Sequence, residues 1–218
     1  TVTGNVEGKR SVDINVFSSQ DFFMHAFLEK LRDRGIDLSR EYDFSVFVPD
    51  SLSACMVRWE RPVQDVLNQV MKERDNLSAE ALFCRLGAQA TGKRYVSAKE
   101  GIAEINRMIK QLGHNPDRYK IADGCGLSNY DYLSPALLVD FLKFAYSRTE
   151  VFRKLYKALP VAGVDGTLKY RMKQSKAYKN VHAKTGSYTA INALAGYLKA
   201  VNGHEIAFAI MNQNVLSA

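Results

Sequence analysis

Residues 181–188 read Val-His-Ala-Lys-Thr-Gly-Ser-Tyr, and two further strand-like stretches follow at residues 193–201 and 205–211. The last of these alternates isoleucine and phenylalanine with alanine, as a β-strand with one buried face does. Asn202-Gly203 separates the second stretch from the third, and this pair favours a tight hairpin in which both residues take a positive φ. The C-terminal part of the chain therefore predicts an antiparallel meander of three strands.

Upstream of the meander, apolar residues recur at helical spacing, and several local signals mark helix ends. Ser97 with Glu100 forms a capping box, and Ser134-Pro135 is an N-cap followed by proline. Helices that precede an antiparallel sheet indicate an α+β protein with the helices packed on the sheet. The predicted helices are residues 62–72, residues 79–86 with a stop at Gly87, residues 97–112, a helix opening at Ser134-Pro135, and residues 149–158, with breaks at Asp75-Asn76 and at the turn 123–126.

The first sixty residues differ from the rest. Residues 11–17 and 42–48 alternate as strands do, and residues 20–34 between them predict a helix that ends at Gly35. We interpret this part as a small α/β piece. The predicted division is residues 1–60 and residues 61–218.

The composition excludes several classes of protein. Apolar residues make up 46% of the chain, which is too many for a disordered protein, and no apolar run approaches the roughly 18 residues of a membrane-spanning helix. The net charge is +7, but the cations are spread along the chain. This favours a solvated basic surface over a nucleic-acid interface, and an acidic polymer fits equally well. Three cysteines without a C-x-x-C spacing predict neither a disulfide framework nor a zinc site.

Lys184-Thr185-Gly186-Ser187 lies inside the first strand of the predicted meander. The lysine supplies a positive charge, the threonine hydroxyl can hydrogen-bond a carboxylate, and the glycine lets a ligand backbone approach the strand. The main-chain N–H of Ser187 can form half of an oxyanion hole. On these residues alone, an ordinary exposed strand that carries a lysine is an equally good interpretation.

Three other stretches accompany this strand in a specific order: Asp75 to Glu80, the turn at residues 123–128, and residues 162–168. Together with residues 182–187 they resemble the class C low-molecular-mass penicillin-binding proteins, the D-alanyl-D-alanine carboxypeptidases and endopeptidases of the penicillin-binding protein 4 type. The resemblance extends from about Arg61 to Asn214.

The resemblance implies an incomplete penicillin-binding or β-lactamase-like transpeptidase fold. Residues 61–218 would be the peptidase domain without its N-terminal part and closing helix, and residues 1–60 the end of an inserted accessory domain. It also implies peptidoglycan stem peptides as substrates, β-lactams as ligands, a periplasmic or envelope location, and no cofactor or metal. The implied catalytic residues are Lys184, Ser187 and Asn76, and the implied substrate contacts are Thr185, Gly186 and Arg74.

The chain departs from the family pattern at two places. No serine has a lysine three residues later, so the Ser-x-x-Lys motif with the nucleophile is absent, and Arg74-Asp75-Asn76 stands where Ser-x-Asn is expected. Arginine cannot relay a proton as serine does, because its guanidinium stays protonated. Two hypotheses remain: a fragment whose nucleophile lies upstream of Thr1, or a catalytically degenerate peptidoglycan-binding relative. His182 beside the motif could act as an acid or base, but a structural role is favoured.

Overall fold

The computed structural model describes residues 16–38 and 58–215. The chain divides into two compact units, Thr1–Arg58 and Trp59–Ala218, and each is described by itself. In the first unit, helix α1 (Ser19–Asp33) begins where the Ser18 side chain accepts a hydrogen bond from the Asp21 N–H, which confirms the predicted helix. The predicted strand at 42–48 and most of that at 11–17 lie outside the described residues, and the division at residue 60 stays a prediction.

The second unit contains five helices among the described residues, and their ends follow the predicted caps. Ser97 and Glu100 form the reciprocal capping box, and Ser134 caps a helix that has Pro135 in its first turn. These local signals are confirmed because a cap needs only residues within one helical turn. The helices are α2 (Val63–Glu73), α3 (Asn76–Thr91), α4 (Ala98–Gln111), α5 (Pro135–Tyr146) and α6 (Thr149–Ala158).

The predicted stop at Gly87 is wrong, because α3 continues through this residue to Thr91 and is capped by Gly92. Gly87 lies where α3 meets α4, and a Cβ there would be 2.8 Å from the Gly101 nitrogen and from the Glu100 Cβ. The glycine therefore permits close helix packing and does not end the helix. A contact between two helices is not visible in the local pattern.

The three predicted strands are confirmed as β1 (His182–Tyr188), β2 (Ile191–Lys199) and β3 (Glu205–Gln213), paired antiparallel in the order β1-β2-β3. The predicted turn geometry is wrong in one respect. Gly203 has a φ of 85°, whereas Asn202 does not have a positive φ. Ala200 accepts a hydrogen bond from the Gly203 N–H, so the hairpin needs the left-handed conformation only at its glycine.

The helices and the sheet bury a shared core, which confirms the α+β class. Tyr197 of β2 is 1% exposed, and its hydroxyl donates to the Leu142 carbonyl of α5. Ala183 on β1 and Val181 just before this strand pack against Leu168 and Ala162 of the preceding loop. This packing holds β1 in place, and β1 carries the candidate site. None of the helices in the described part of the chain is both long and apolar enough to span a membrane.

Candidate active site

A cleft of about 550 Å³ separates β1 from the junction of α2 with α3. Its third side is the turn at residues 124–127. Elements far apart in sequence therefore meet at one opening. All six residues singled out from the sequence line this cleft: Arg74, Asn76, Lys184, Thr185, Gly186 and Ser187.

Lys184 is a half-buried cation in the wall of the cleft. Its Nζ donates to the Thr185 carbonyl oxygen at 2.6 Å, and no carboxylate of the described residues pairs with it. Burial lowers the pKa of Lys184 below its ordinary value of 10.5, and the positive charge of Arg74 lowers it further. An anion that enters the cleft would restore the missing counter-charge.

Thr185 is 7% exposed, and its hydroxyl donates to the Thr167 hydroxyl oxygen at 2.9 Å. Thr167 belongs to a short 3₁₀ turn, Gly166–Leu168, whose Leu168 is buried in the core. The buried turn thereby holds the Thr185 side chain. Residues 162–168 are one of the four motifs of the family resemblance, but the sequence alone gives Thr167 no role, because nothing local indicates its partner.

Arg74 ends α2 in the left-handed conformation, with a φ of 59°, and its side chain is exposed. Asp75 then caps α3, because its Oδ1 accepts hydrogen bonds from the Leu77 and Ser78 N–H groups. The Ser78 hydroxyl also donates to Asp75 and holds the pKa of this carboxyl below its ordinary value. The cap places Asn76 as the exposed first residue of α3, at the cleft.

The turn that closes the cleft is tied to α3 by Glu80. Glu80 Oε1 accepts from the N–H groups of Gly124 and Cys125, at 2.8 and 2.9 Å. Gly124 lies so close to α3 that a Cβ would be 2.5 Å from the Phe83 Cβ. Asp123 accepts from two further N–H groups of the same turn, those of Gly126 and Ser128. These carboxylates therefore position the turn.

Glu80, Asp123 and Cys125 also present ligand atoms within 4.8 Å of one another. Both carboxylates are occupied by main-chain N–H groups, and burial together with Glu80 raises the pKa of the Cys125 thiol. A thiol must lose its proton to bind a metal. The chemistry of this cluster therefore suits a clamp on the turn better than a metal site.

His182 lies outside the cleft lining. Its ring stacks on Tyr156 with centroids 4.0 Å apart, and burial lowers its pKa. This packing agrees with the structural role favoured from the sequence.

Comparison with known proteins gives matches along the whole chain. The model of the D-Ala-D-Ala carboxypeptidase 3 (S13) family matches residues 1–218. The D-alanyl-D-alanine carboxypeptidase DacB of Haemophilus influenzae is 33% identical over 150 residues, which are 68% of this chain and 31% of that protein. A D-alanyl-D-alanine carboxypeptidase of an Actinomadura species is 30% identical over 196 residues, 86% of this chain and 36% of the relative. The chain thus spans about a third of the curated relatives it matches.

Solved structures agree with the sequence comparison. The crystal structure of penicillin-binding protein 4 from Haemophilus influenzae, complexed with a β-lactam, has a TM-score of 0.76 and 25% identity, covering 94% of this chain and 47% of the other. The TLA-1 extended-spectrum β-lactamase has a TM-score of 0.52 at 17% identity, over 91% of this chain and 75% of its own, which shows a shared fold alone. The expected penicillin-binding fold is therefore confirmed.

Proposed function

Because the chain belongs to the D-Ala-D-Ala carboxypeptidase 3 (S13) family, we propose that the full-length protein is a serine-type D-Ala-D-Ala carboxypeptidase or endopeptidase. Its substrates are the stem peptides of peptidoglycan, and its location is the periplasm or cell envelope. The observation that carries the proposal is the half-buried Lys184, which has no carboxylate partner among the described residues and faces the same cleft as Asn76.

Five of the six sequence-predicted residues in the cleft have a part in this reaction. Lys184 holds the terminal carboxylate of the peptide, and the Thr185 hydroxyl turns its hydrogen to the same carboxylate while it accepts from the Thr167 hydroxyl. Asn76 hydrogen-bonds the peptide amide, and the Ser187 N–H stabilises the oxyanion that forms when the serine oxygen attacks the carbonyl carbon. The amide C–N bond breaks as the leaving amine receives the proton that the serine hydroxyl gives up, and water then hydrolyses the acyl-enzyme ester. Gly186 leaves room for the peptide backbone because it has no side chain.

The nucleophile comes from outside these 218 residues, because no serine among them is followed three residues later by lysine. An apolar cavity of about 290 Å³ extends from Lys184 toward α5 and α6. Its lining is almost entirely aliphatic and aromatic, so it would accept an apolar segment that brings a serine to the cleft. This cavity supports the assignment of the nucleophile to another part of the protein.

The test is covalent labelling of the full-length protein with a fluorescent penicillin, which acylates the serine that attacks the substrate. We expect a labelled band that survives denaturation and disappears when unlabelled penicillin is added first. The control is protein unfolded before labelling. A full-length protein that is folded and takes no label would overturn the proposal.

Thr167 gives the first substitution test. We expect Thr167→Val to slow penicillin acylation of the full-length protein about three- to tenfold, because valine cannot donate to the Thr185 oxygen when the Thr185 hydrogen turns to the ligand carboxylate. Thr167→Ser keeps the hydroxyl and should retain most of the rate. The slower acylation should appear as a higher penicillin concentration at half-maximal rate, since Thr185 binds the carboxylate of the ligand. Equal rates for valine and wild type would contradict the role.

A second candidate function, a catalytically degenerate peptidoglycan-binding relative, is favoured by one observation. Arg74 occupies the position of the family serine, lines the cleft and lowers the pKa of Lys184. A guanidinium cannot pass a proton during acyl transfer. This relative would bind the stem peptide in the cleft without cleaving it.

Replacing Arg74 separates the two candidates. In an enzyme limited by this position, we expect Arg74→Ser to raise the acylation rate about tenfold or more, because it restores a group that transfers a proton. Arg74→Ala is the control, since it removes the guanidinium without adding a hydroxyl. If the acylation rate rises equally in both variants, the rise comes from loss of the positive charge alone. Absence of label in wild type, serine and alanine variants alike would favour the degenerate relative.

A further inference from the structure

A basic loop, residues 169–179, connects the Thr167 turn with β1. It carries five cations, and no aspartate or glutamate occurs from Gly166 to His204. None of the five forms an ion pair with any residue in the described ranges, whereas exposed cations on α4 and α6 pair with carboxylates on their own helices. The charge of this loop is therefore not neutralised within the described structure. The cations are Lys169, Arg171, Lys173, Lys176 and Lys179.

Core packing and a main-chain hydrogen bond hold the basic loop in place. Leu168 is fully buried, and Met172 and Ala177 pack against the same core cluster. The Lys179 N–H donates to the Ala162 carbonyl, and the Tyr178 ring covers Gly163. All five cations are exposed. A binding partner would meet a loop whose main chain is already ordered, which lowers the entropy cost of association.

Two tyrosines stand among these cations. Tyr170 is 79% exposed, and the ammonium groups of Lys169 and Lys173 lie 5.5 and 5.2 Å from its ring centroid. Lys179 lies 5.3 Å from the ring centroid of Tyr178. An exposed aromatic face can pack against the apolar face of a sugar ring, while the neighbouring ammonium groups attract carboxylates. The combination suits an acidic polymer that contains sugars.

The basic loop is also continuous with the catalytic cleft. A cavity of about 450 Å³ lies between the end of α2 and the turn that opens the loop, and Arg74, Thr167 and Lys169 line it. Arg74 lines the cleft as well. Glu73 and Asp165 line it too, and Asp165 is paired with Lys72. A polymer with one peptide in the cleft would therefore reach the loop past Arg74 and Lys169, along a lining whose cations outnumber its carboxylates.

We propose that the basic loop is a second binding surface, which holds the carboxylate-bearing glycan-peptide polymer of the cell wall next to the cleft. The choice of this polymer rests on the proposed function. The charge and its position do not depend on that choice. The surface would keep the protein on its insoluble substrate between cleavage events, since each exposed lysine contributes an attraction that salt weakens.

The experiment measures retention of the full-length protein on purified, insoluble peptidoglycan sacculi over a range of salt concentrations. The variant is Lys169→Gln with Lys173→Gln and Lys176→Gln. The matched control is Lys99→Gln with Lys110→Gln and Lys157→Gln, which removes the same charge from exposed positions on α4 and α6. At roughly 50 mM salt we expect the loop variant to lose about tenfold in affinity and the control less than about twofold.

Two further measurements complete the test. Tyr170→Ser should weaken retention about threefold without changing its salt dependence, because it removes packing and no charge. Thermal unfolding of each variant identifies any loss that comes from misfolding. Equal losses in the loop variant and the control would overturn the proposal, as would tighter binding to double-stranded DNA than to sacculi at equal salt. Retention on sacculi requires no acylation, so it can be interpreted even if penicillin labelling fails.

Discussion

Replacing Lys184 by methionine is expected to slow penicillin acylation of the full-length protein about a hundredfold or more, since it removes the positive charge that we propose binds the carboxylate of the ligand. Methionine fills the same half-buried space without a charge, so the fold should persist. Lys199→Met is the matched control, because Lys199 is an exposed lysine on the neighbouring strand β2. The measurement is the second-order rate of labelling. A loss below about threefold would contradict the role of Lys184.

The lowered pKa of Lys184 predicts the pH above which an anionic ligand binds weakly. This pKa lies below the ordinary value of 10.5, so the ammonium is present below the lowered pKa and is lost as the pH rises through it. Binding of an anionic ligand should therefore weaken at a lower pH than an exposed lysine would allow. In Arg74→Ala this limit should move to higher pH, because the repulsive charge is gone. An unchanged alkaline limit in this variant would show that Arg74 does not act on Lys184.

Gly196→Ala is expected to destabilise the full-length protein by about 3 kcal/mol or more, because the strand offers no space for the methyl group. Gly196 is buried on β2 opposite Ala183, and a Cβ there would be 2.1 Å from the His182 carbonyl oxygen and 2.6 Å from the Ala183 Cα. These are main-chain atoms, so relief requires moving β1 itself. The measurement is the denaturant concentration at half-unfolding.

Gly186→Ala is the matched control on β1. A Cβ there would meet only the Ala193 Cβ, at 3.4 Å, which is an ordinary contact. We expect its unfolding midpoint to stay close to wild type, although its methyl group should obstruct a ligand that lies along the strand. Equal destabilisation by both alanines would mean that strand propensity, and not the close approach of β1 to β2, sets the effect.

Much of the fold could be predicted because its signals are local. The capping box at Ser97, the proline after Ser134 and the alternation over residues 205–211 each depend on neighbours within one turn or one strand. The site strand was recognisable for the same reason, since Lys184 to Ser187 are consecutive. The order of the motifs then indicated the family, which the comparisons confirm.

Contacts between distant residues were beyond this kind of prediction. Gly87 has the local character of a helix stop, and only α4 packed against it shows why α3 continues. The turn at Asn202-Gly203 needed a left-handed residue at one position and not two, because the observed loop closes from Ala200 to Gly203. At Gly87 a contact between two helices decided the backbone, whereas at the hairpin a local hydrogen bond from Gly203 to Ala200 sets a different turn from the predicted one.

By itself, the sequence predicted which residues would bind an anionic peptide, and it determined that the strand bearing them belongs to an antiparallel meander. Only the tertiary structure brought that strand to Arg74 and Asn76, fastened Thr185 to Thr167 eighteen positions earlier, and bound Glu80 to a turn 44 residues away. It also lowered the pKa of Lys184, through burial and through the charge of Arg74. The physical reason is that hydrogen bonds, burial and the field of a neighbouring charge depend on distance in space.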